Sequence, residues 1–159
     1  MSKPCPLQPG HKVPEFNTCD QNGKKYNHLS LLGSQYLIFF YPRDLTPGCT
    51  TEACELRDSY QDFRVHKTLI LGISPDGEKS HRKFIKKYDL PFPLLIDESH
   101  AIAEAFGVWG EKKFMGRTFE GVHRMSFLIG ADGRIKKTYN KVKPAGHAQQ
   151  VLADLCKDR

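Results

Sequence analysis

The chain has 159 residues, 39% hydrophobic and 26% charged, a balance that suits one soluble globular domain over residues 1–159 and excludes a disordered polar chain. No window approaches the ~18 apolar residues of a membrane span. Five cysteines, an odd and sparse set, exclude a disulfide scaffold and suit a reducing compartment. The N-terminus lacks the apolar core of a secretory signal, so a cytoplasmic location is expected. The net charge of +6 raises a basic nucleic-acid-binding module as an alternative. Its Lys and Arg are dispersed in pairs such as Lys24-Lys25 and Lys136-Lys137, however, and no recognised binding motif accompanies them.

In chain order, residues 15–18 and 25–27 flank the turn-rich Asp20-Gln21-Asn22-Gly23 and predict an N-terminal hairpin. A short turn at 29–33 leads into Tyr36-Leu37-Ile38-Phe39-Phe40-Tyr41, an unbroken apolar run expected of a strand buried on both faces. A helix should then start with Thr46 as N-cap and Pro47 at its first position, and run to about Arg64. Residues 68–74 predict a second strand, and strand-helix-strand order implies a parallel pair with a right-handed crossover. Further on, a helix is expected over 78–88, a strand over 94–96 and a short helix over 101–106. Residues 107–121 read as a glycine-punctuated loop, and residues 124–129 and 134–139 flank Asp132-Gly133 as an antiparallel hairpin. A closing helix over 147–156 turns Ala148, Val151, Leu152 and Leu155 to the core. The fold class is α/β, a central mixed sheet flanked by helices.

Chemistry concentrates where the first long strand meets its helix. Cys49 falls in the first helical turn, where unpaired N–H groups and the helix dipole favour thiolate over thiol. Cys49, Ala53, Leu56, Tyr60 and Phe63 also form one apolar stripe, so Cys49 reads equally as a small core residue. Pro42 and Pro47 restrict the loop, Gly48 allows close approach to the backbone and Thr46 offers a hydroxyl, none of which a core cysteine needs. Two other motifs are set aside. Residues 110–118 miss the P-loop spacing and lack its Lys, and a zinc site on Cys49 and Cys54 would need two further ligands at no recognisable spacing.

The run Phe40-Tyr41-Pro42-Arg43-Asp44-Leu45-Thr46-Pro47-Gly48-Cys49-Thr50-Thr51-Glu52-Ala53-Cys54 resembles the active-site signature of peroxiredoxins, in particular the bacterioferritin-comigratory or peroxiredoxin Q branch. The resemblance extends over almost the whole chain and implies a thioredoxin-like fold. It implies that Cys49 reduces hydrogen peroxide or organic hydroperoxides and becomes a sulfenic acid, and that Cys54 resolves it as an intramolecular disulfide. A thioredoxin-like dithiol would reduce that disulfide, with no metal, flavin or haem. Thr46 is expected to donate to the peroxide with help from the Gly48 and Cys49 N–H groups, while Pro42 shields the site. Arg124 matches the family's cation beside the sulfur. Taken alone it would read as a surface residue on a hairpin. Glu52 matches the residue that orients that Arg, or is a plain first-turn carboxylate. A monomer suffices for this cycle, since only three residues follow Cys156 and none forms a resolving arm. The remaining alternative is a disulfide-transfer protein without peroxidase activity.

Overall fold

A computed structural model describes residues 2–157. Its spine is β3 (Gln35–Phe40), the aromatic run expected to be buried on both faces. The central sheet has the order β5-β4-β3-β8-β9, comprising β3, β4 (Thr68–Ser74), β5 (Leu94–Ile96), β8 (Met125–Ile129) and β9 (Ile135–Tyr139). β3, β4 and β5 run parallel, whereas β8 is antiparallel to both of its neighbours, so the sheet is mixed as expected.

Alternation along β3 divides the interior in two. Leu37, Phe39 and Tyr41 face one cluster, which takes in α1 (Pro47–Asp58), α2 (Tyr60–Val65), α3 (Glu78–Tyr88) and α5 (His147–Lys157). Tyr36, Ile38 and Phe40 face the other, with Phe16, Leu31 and α4 (Ala101–Phe106). The N-terminal hairpin forms as β1 (Asn17–Cys19) and β2 (Lys25–Asn27), tied to the sheet edge by a bridge between Asp20 and Leu95. Among the described residues no helix is long and apolar enough to cross a membrane.

Two expectations are corrected. The helix expected to reach Arg64 is broken at Ser59 (φ −95°, ψ 5°), which separates α1 from α2. The i→i−4 bonds continue through the break, from Ser59 N–H to the Glu55 carbonyl and from Phe63 N–H to the Ser59 carbonyl. The apolar stripe therefore stays in phase and Phe63 remains on the same cluster as Leu56, which is why periodicity alone reads as one helix.

The loop expected over 107–121 is instead a hairpin of β6 (Trp109–Phe114) and β7 (Arg117–Val122). Its two-residue turn, Met115 (φ 50°) and Gly116 (φ 79°), has the positive φ pair that matches strand twist. Asn or Asp usually announces such a turn at its first position, and Met does not. Replacing Met115 with Asn should relieve this left-handed strain and raise stability by roughly 0.5–1 kcal/mol in urea denaturation.

Candidate active site

The site forms where β3 runs into α1. After Tyr41 the chain turns through Pro42, half-buried, to Leu45 at φ 65°, and Thr46 is extended (φ −83°, ψ 154°) before Pro47 opens the helix. Thr46 is the N-cap in backbone only. Its hydroxyl donates back to the Arg43 carbonyl at 2.8 Å instead of accepting from the first turn. The first intrahelical bond runs from Thr50 N–H to the Thr46 carbonyl, so among the described residues the Gly48 and Cys49 N–H groups have no backbone acceptor. Two donors are thereby left for an incoming group. With its proton on Arg43, Thr46 keeps its lone pairs free to accept an O–H.

Cys49 is a free thiol with 1% exposure, packed in the core cluster as the apolar stripe required. Arg124 Nη2 donates to its Sγ at 3.3 Å. Strand register places that guanidinium. Met125 pairs with Phe40, so Arg124, one residue before β8, stands at the end of the sheet where β3 gives way to the turn. Gly48 supplies the space, since a Cβ there would lie 3.0 Å from Arg124 Nη2. Arg124 thus belongs to the Cys49 environment and is not a surface residue of a hairpin.

The same guanidinium donates through Nη1 to Glu52 Oε1 at 2.8 Å. Glu52 is 1% exposed, not the solvated first-turn carboxylate of the alternative expectation, and among the described residues its Oε2 has no hydrogen-bond partner. Burial pushes its pKa up to about 7 against the opposing pull of Arg124. Arg124 therefore bridges a sulfur and a carboxylate and holds both near one helical turn. The hairpin missed in the sequence adds Lys112, whose amine donates to the Val122 carbonyl at 2.8 Å. Burial and then Arg124 lower its pKa, while Cys49 acts the other way, so Lys112 is a second cation within electrostatic reach of the sulfur. His147, within electrostatic reach of Arg124, has its Nε2 2.8 Å from the Ser126 hydroxyl and its pKa lowered chiefly by burial.

Cys54 is half-buried and free, five residues along the same helix. Cys5 and Cys156 are exposed and Cys19 half-buried, and Cys156 Sγ lies 3.7 Å from His66 Nε2.

Residues 9–138 match the AhpC/TSA family. The chain belongs to that family. It is 48% identical over 147 residues to the putative peroxiredoxin bcp of Haemophilus influenzae, covering 92% of this chain and 95% of the relative. It is 44% identical to peroxiredoxin Bcp of Escherichia coli K12, with 92% and 94% covered. Peroxiredoxin Q of Xanthomonas campestris superposes with a TM-score of 0.86 at 34% identity, covering 97% of each chain. A bacterioferritin comigratory protein from the same organism, described for its alkyl peroxide reduction activity, gives 0.86 at 33% identity, with 98% of this chain and 99% of that one covered. The peroxiredoxin-type thioredoxin-like fold is thus established, and with it the class of chemistry, a thiol-dependent peroxidase of the Bcp or peroxiredoxin Q branch.

Glu52 gives this peroxiredoxin a measurable pH signature. The native state keeps the Glu52 proton up to about pH 7, whereas the ordinary value is 4.5. The stability tied to that proton is complete below the lower value and is lost as pH rises through the upper one. Wild type should therefore lose up to about 3 kcal/mol between pH 4.5 and 8 relative to Glu52→Gln, as read by urea denaturation across that range. A pH-independent difference between the two would contradict the assignment.

Proposed function

We propose that Cys49 is the peroxidatic nucleophile toward hydrogen peroxide and organic hydroperoxides. The observation that carries this reading is the 3.3 Å contact from Arg124 to the Cys49 sulfur in the first turn of α1. A guanidinium at that distance favours an anionic sulfur. The thiolate attacks the terminal oxygen of RO–OH, an S–O bond forms as the O–O bond breaks, and the leaving RO⁻ takes a proton to become water or an alcohol. Cys49 is left as a sulfenic acid.

Each neighbour has a part in this step. Thr46 accepts the hydroperoxide O–H, while the Gly48 and Cys49 N–H groups and Arg124 stabilise charge passing to the leaving oxygen. Glu52 fixes the plane of the guanidinium, and Pro42 limits water at the turn. The alkyl peroxide reduction of the X. campestris relative supports organic hydroperoxides as substrates.

Cys54 then condenses with the sulfenic acid, releasing water and forming an intramolecular disulfide that a thioredoxin-like dithiol reduces by exchange. Both cysteines lie on one chain, so the cycle needs neither a second subunit nor a cofactor. We read the protein as a cytoplasmic, monomeric antioxidant enzyme with a single domain.

Resolution requires movement. Both thiols lie in α1, where five residues advance roughly 7.5 Å and turn about 140°. That geometry exceeds the ~7 Å Cα separation a disulfide tolerates. The first turns of α1 therefore unwind on oxidation, while the second half stays anchored by buried Leu56 and by Glu55 Oε1, which accepts the Gly146 N–H at 2.9 Å.

Peroxide consumption with a thioredoxin system tests the assignment. Cys49→Ser should abolish it, and turnover within a few-fold of wild type would refute the role of Cys49. Cys54→Ser should retain one rapid turnover per molecule and lose recycling, and undiminished steady-state turnover would assign resolution to another thiol. Hydrogen exchange should show residues 50–54 losing protection on oxidation while residues 56–58 keep theirs. Equal protection in both redox states would rule out the unwinding.

A further inference from the structure

The turn that carries Thr46 to Cys49 is held from its inner side by a polar cluster that the peroxide chemistry does not itself use. On its outer side it faces an open cleft of about 820 Å³, with Arg43 and Leu45 exposed, so apolar packing does not fix it there. On the inner side Asp44, 5% exposed, accepts the Tyr41 hydroxyl at 2.6 Å on Oδ1 and the Ser80 hydroxyl at 2.8 Å on Oδ2. Oδ2 also lies 2.7 Å from Nδ1 of His81, which is 0% exposed. The Asp44 N–H donates to Asp76 Oδ2 at 2.7 Å, and that oxygen accepts the Ser74 hydroxyl at 2.8 Å. The remaining His81 nitrogen, Nε2, lies 2.7 Å from the Leu95 carbonyl of β5. Groups from the end of β3, from α3, from the link between β4 and α3, and from β5 thus converge on one turn.

Counting donors fixes a proton. The Leu95 carbonyl only accepts, so Nε2 carries a hydrogen. Tyr41 keeps its own proton, because burial and then the Asp44 charge hold its pKa well above the ordinary value, and it donates to Asp44. A bare carboxylate and a bare Nδ1 would both be acceptors at 2.7 Å, so one proton must lie between them.

We propose that His81 and Asp44, sharing one buried proton, are positioning residues that fix the turn at 42–46 so that Thr46 and the first turn of α1 meet the Arg124 guanidinium in register. The proposal rests on the reading of Cys49 as the nucleophile, because the geometry it protects is that of Thr46 and the Gly48 and Cys49 N–H groups. Leu45 at φ 65° shows why a clamp is needed, since a left-handed Leu relaxes unless its neighbours are held. Misplacing a reacting group by about 1 Å costs on the order of a hundredfold in rate.

Rapid-mixing measurements separate the peroxide-dependent oxidation of Cys49 from the peroxide-independent condensation with Cys54. Asp44→Ala and His81→Phe should slow oxidation by roughly tenfold or more while leaving condensation within about threefold. Asp44→Asn should recover at least half of that loss on a logarithmic scale. Its amide can donate to a neutral His81 Nδ1 while its oxygen accepts from Tyr41. In folded wild-type protein, His81 should show a low-field Nδ1–H···O proton resonance. Oxidation of Asp44→Ala at the wild-type rate, failure of Asp44→Asn to improve on Asp44→Ala, or the absence of such a resonance would each overturn the proposal. The resonance is read without any turnover at Cys49, so it stands or falls apart from the peroxidatic assignment, which Cys49→Ser tests.

Discussion

The guanidinium of Arg124 is the constraint on which the site depends. It donates through one nitrogen to a buried sulfur and through another to a buried carboxylate, and it is itself mostly enclosed, with 19% side-chain exposure. An unpaired guanidinium at such a place costs several kcal/mol, so Arg124 needs both acceptors. The arrangement is also unbalanced. Burial pushes the Glu52 pKa up to about 7, and Lys112 adds a second cation within electrostatic reach of Cys49. The sulfur thus lies against a cation although it is packed among aromatic and aliphatic side chains.

The rest of the fold brings these groups together. Cys49 and Glu52 share a helix face by spacing alone, but Arg124 arrives through the antiparallel register of β8 on β3. The aromatic residues of β3 pack on both sheet faces and leave that register little freedom, because a slip by one residue would exchange the two buried faces. Stability of the central strand and placement of the reactive cation therefore have one cause. The helix start is the softer part, with its first N–H groups unpaired, and that softness is what an internal disulfide between Cys49 and Cys54 would draw on.

Much of this was legible in the sequence because it is local. The aromatic strand, the Thr46-Pro47 helix start, the stripe through Cys49, Ala53 and Leu56, and the Asp132-Gly133 hairpin all follow from neighbouring residues, and the structure reproduces them. What escaped depends on distant contacts or on unusual turn chemistry. Glu52 was named through resemblance as the partner of Arg124, but spacing alone reads it as a solvated carboxylate and does not reveal its burial. Lys112 was hidden because Met115-Gly116 makes a tight turn without the usual Asn or Asp, so its hairpin read as a loop. Asp44 lay within the signature, but its partner His81 is 37 residues away on another helix, and nothing in the spacing joins them. Arg124 itself was identified through resemblance, since position alone favoured a surface residue.

The most direct test of this account is the second-order rate constant for oxidation of Cys49 by hydrogen peroxide at neutral pH, in wild type and in Arg124→Ala. In the proposed mechanism the cation stabilises the leaving oxygen, so its loss should slow the reaction by on the order of a hundredfold or more. Oxidation of a folded Arg124→Ala protein within threefold of wild type would show that the guanidinium is a structural neighbour of the sulfur and not the source of its reactivity.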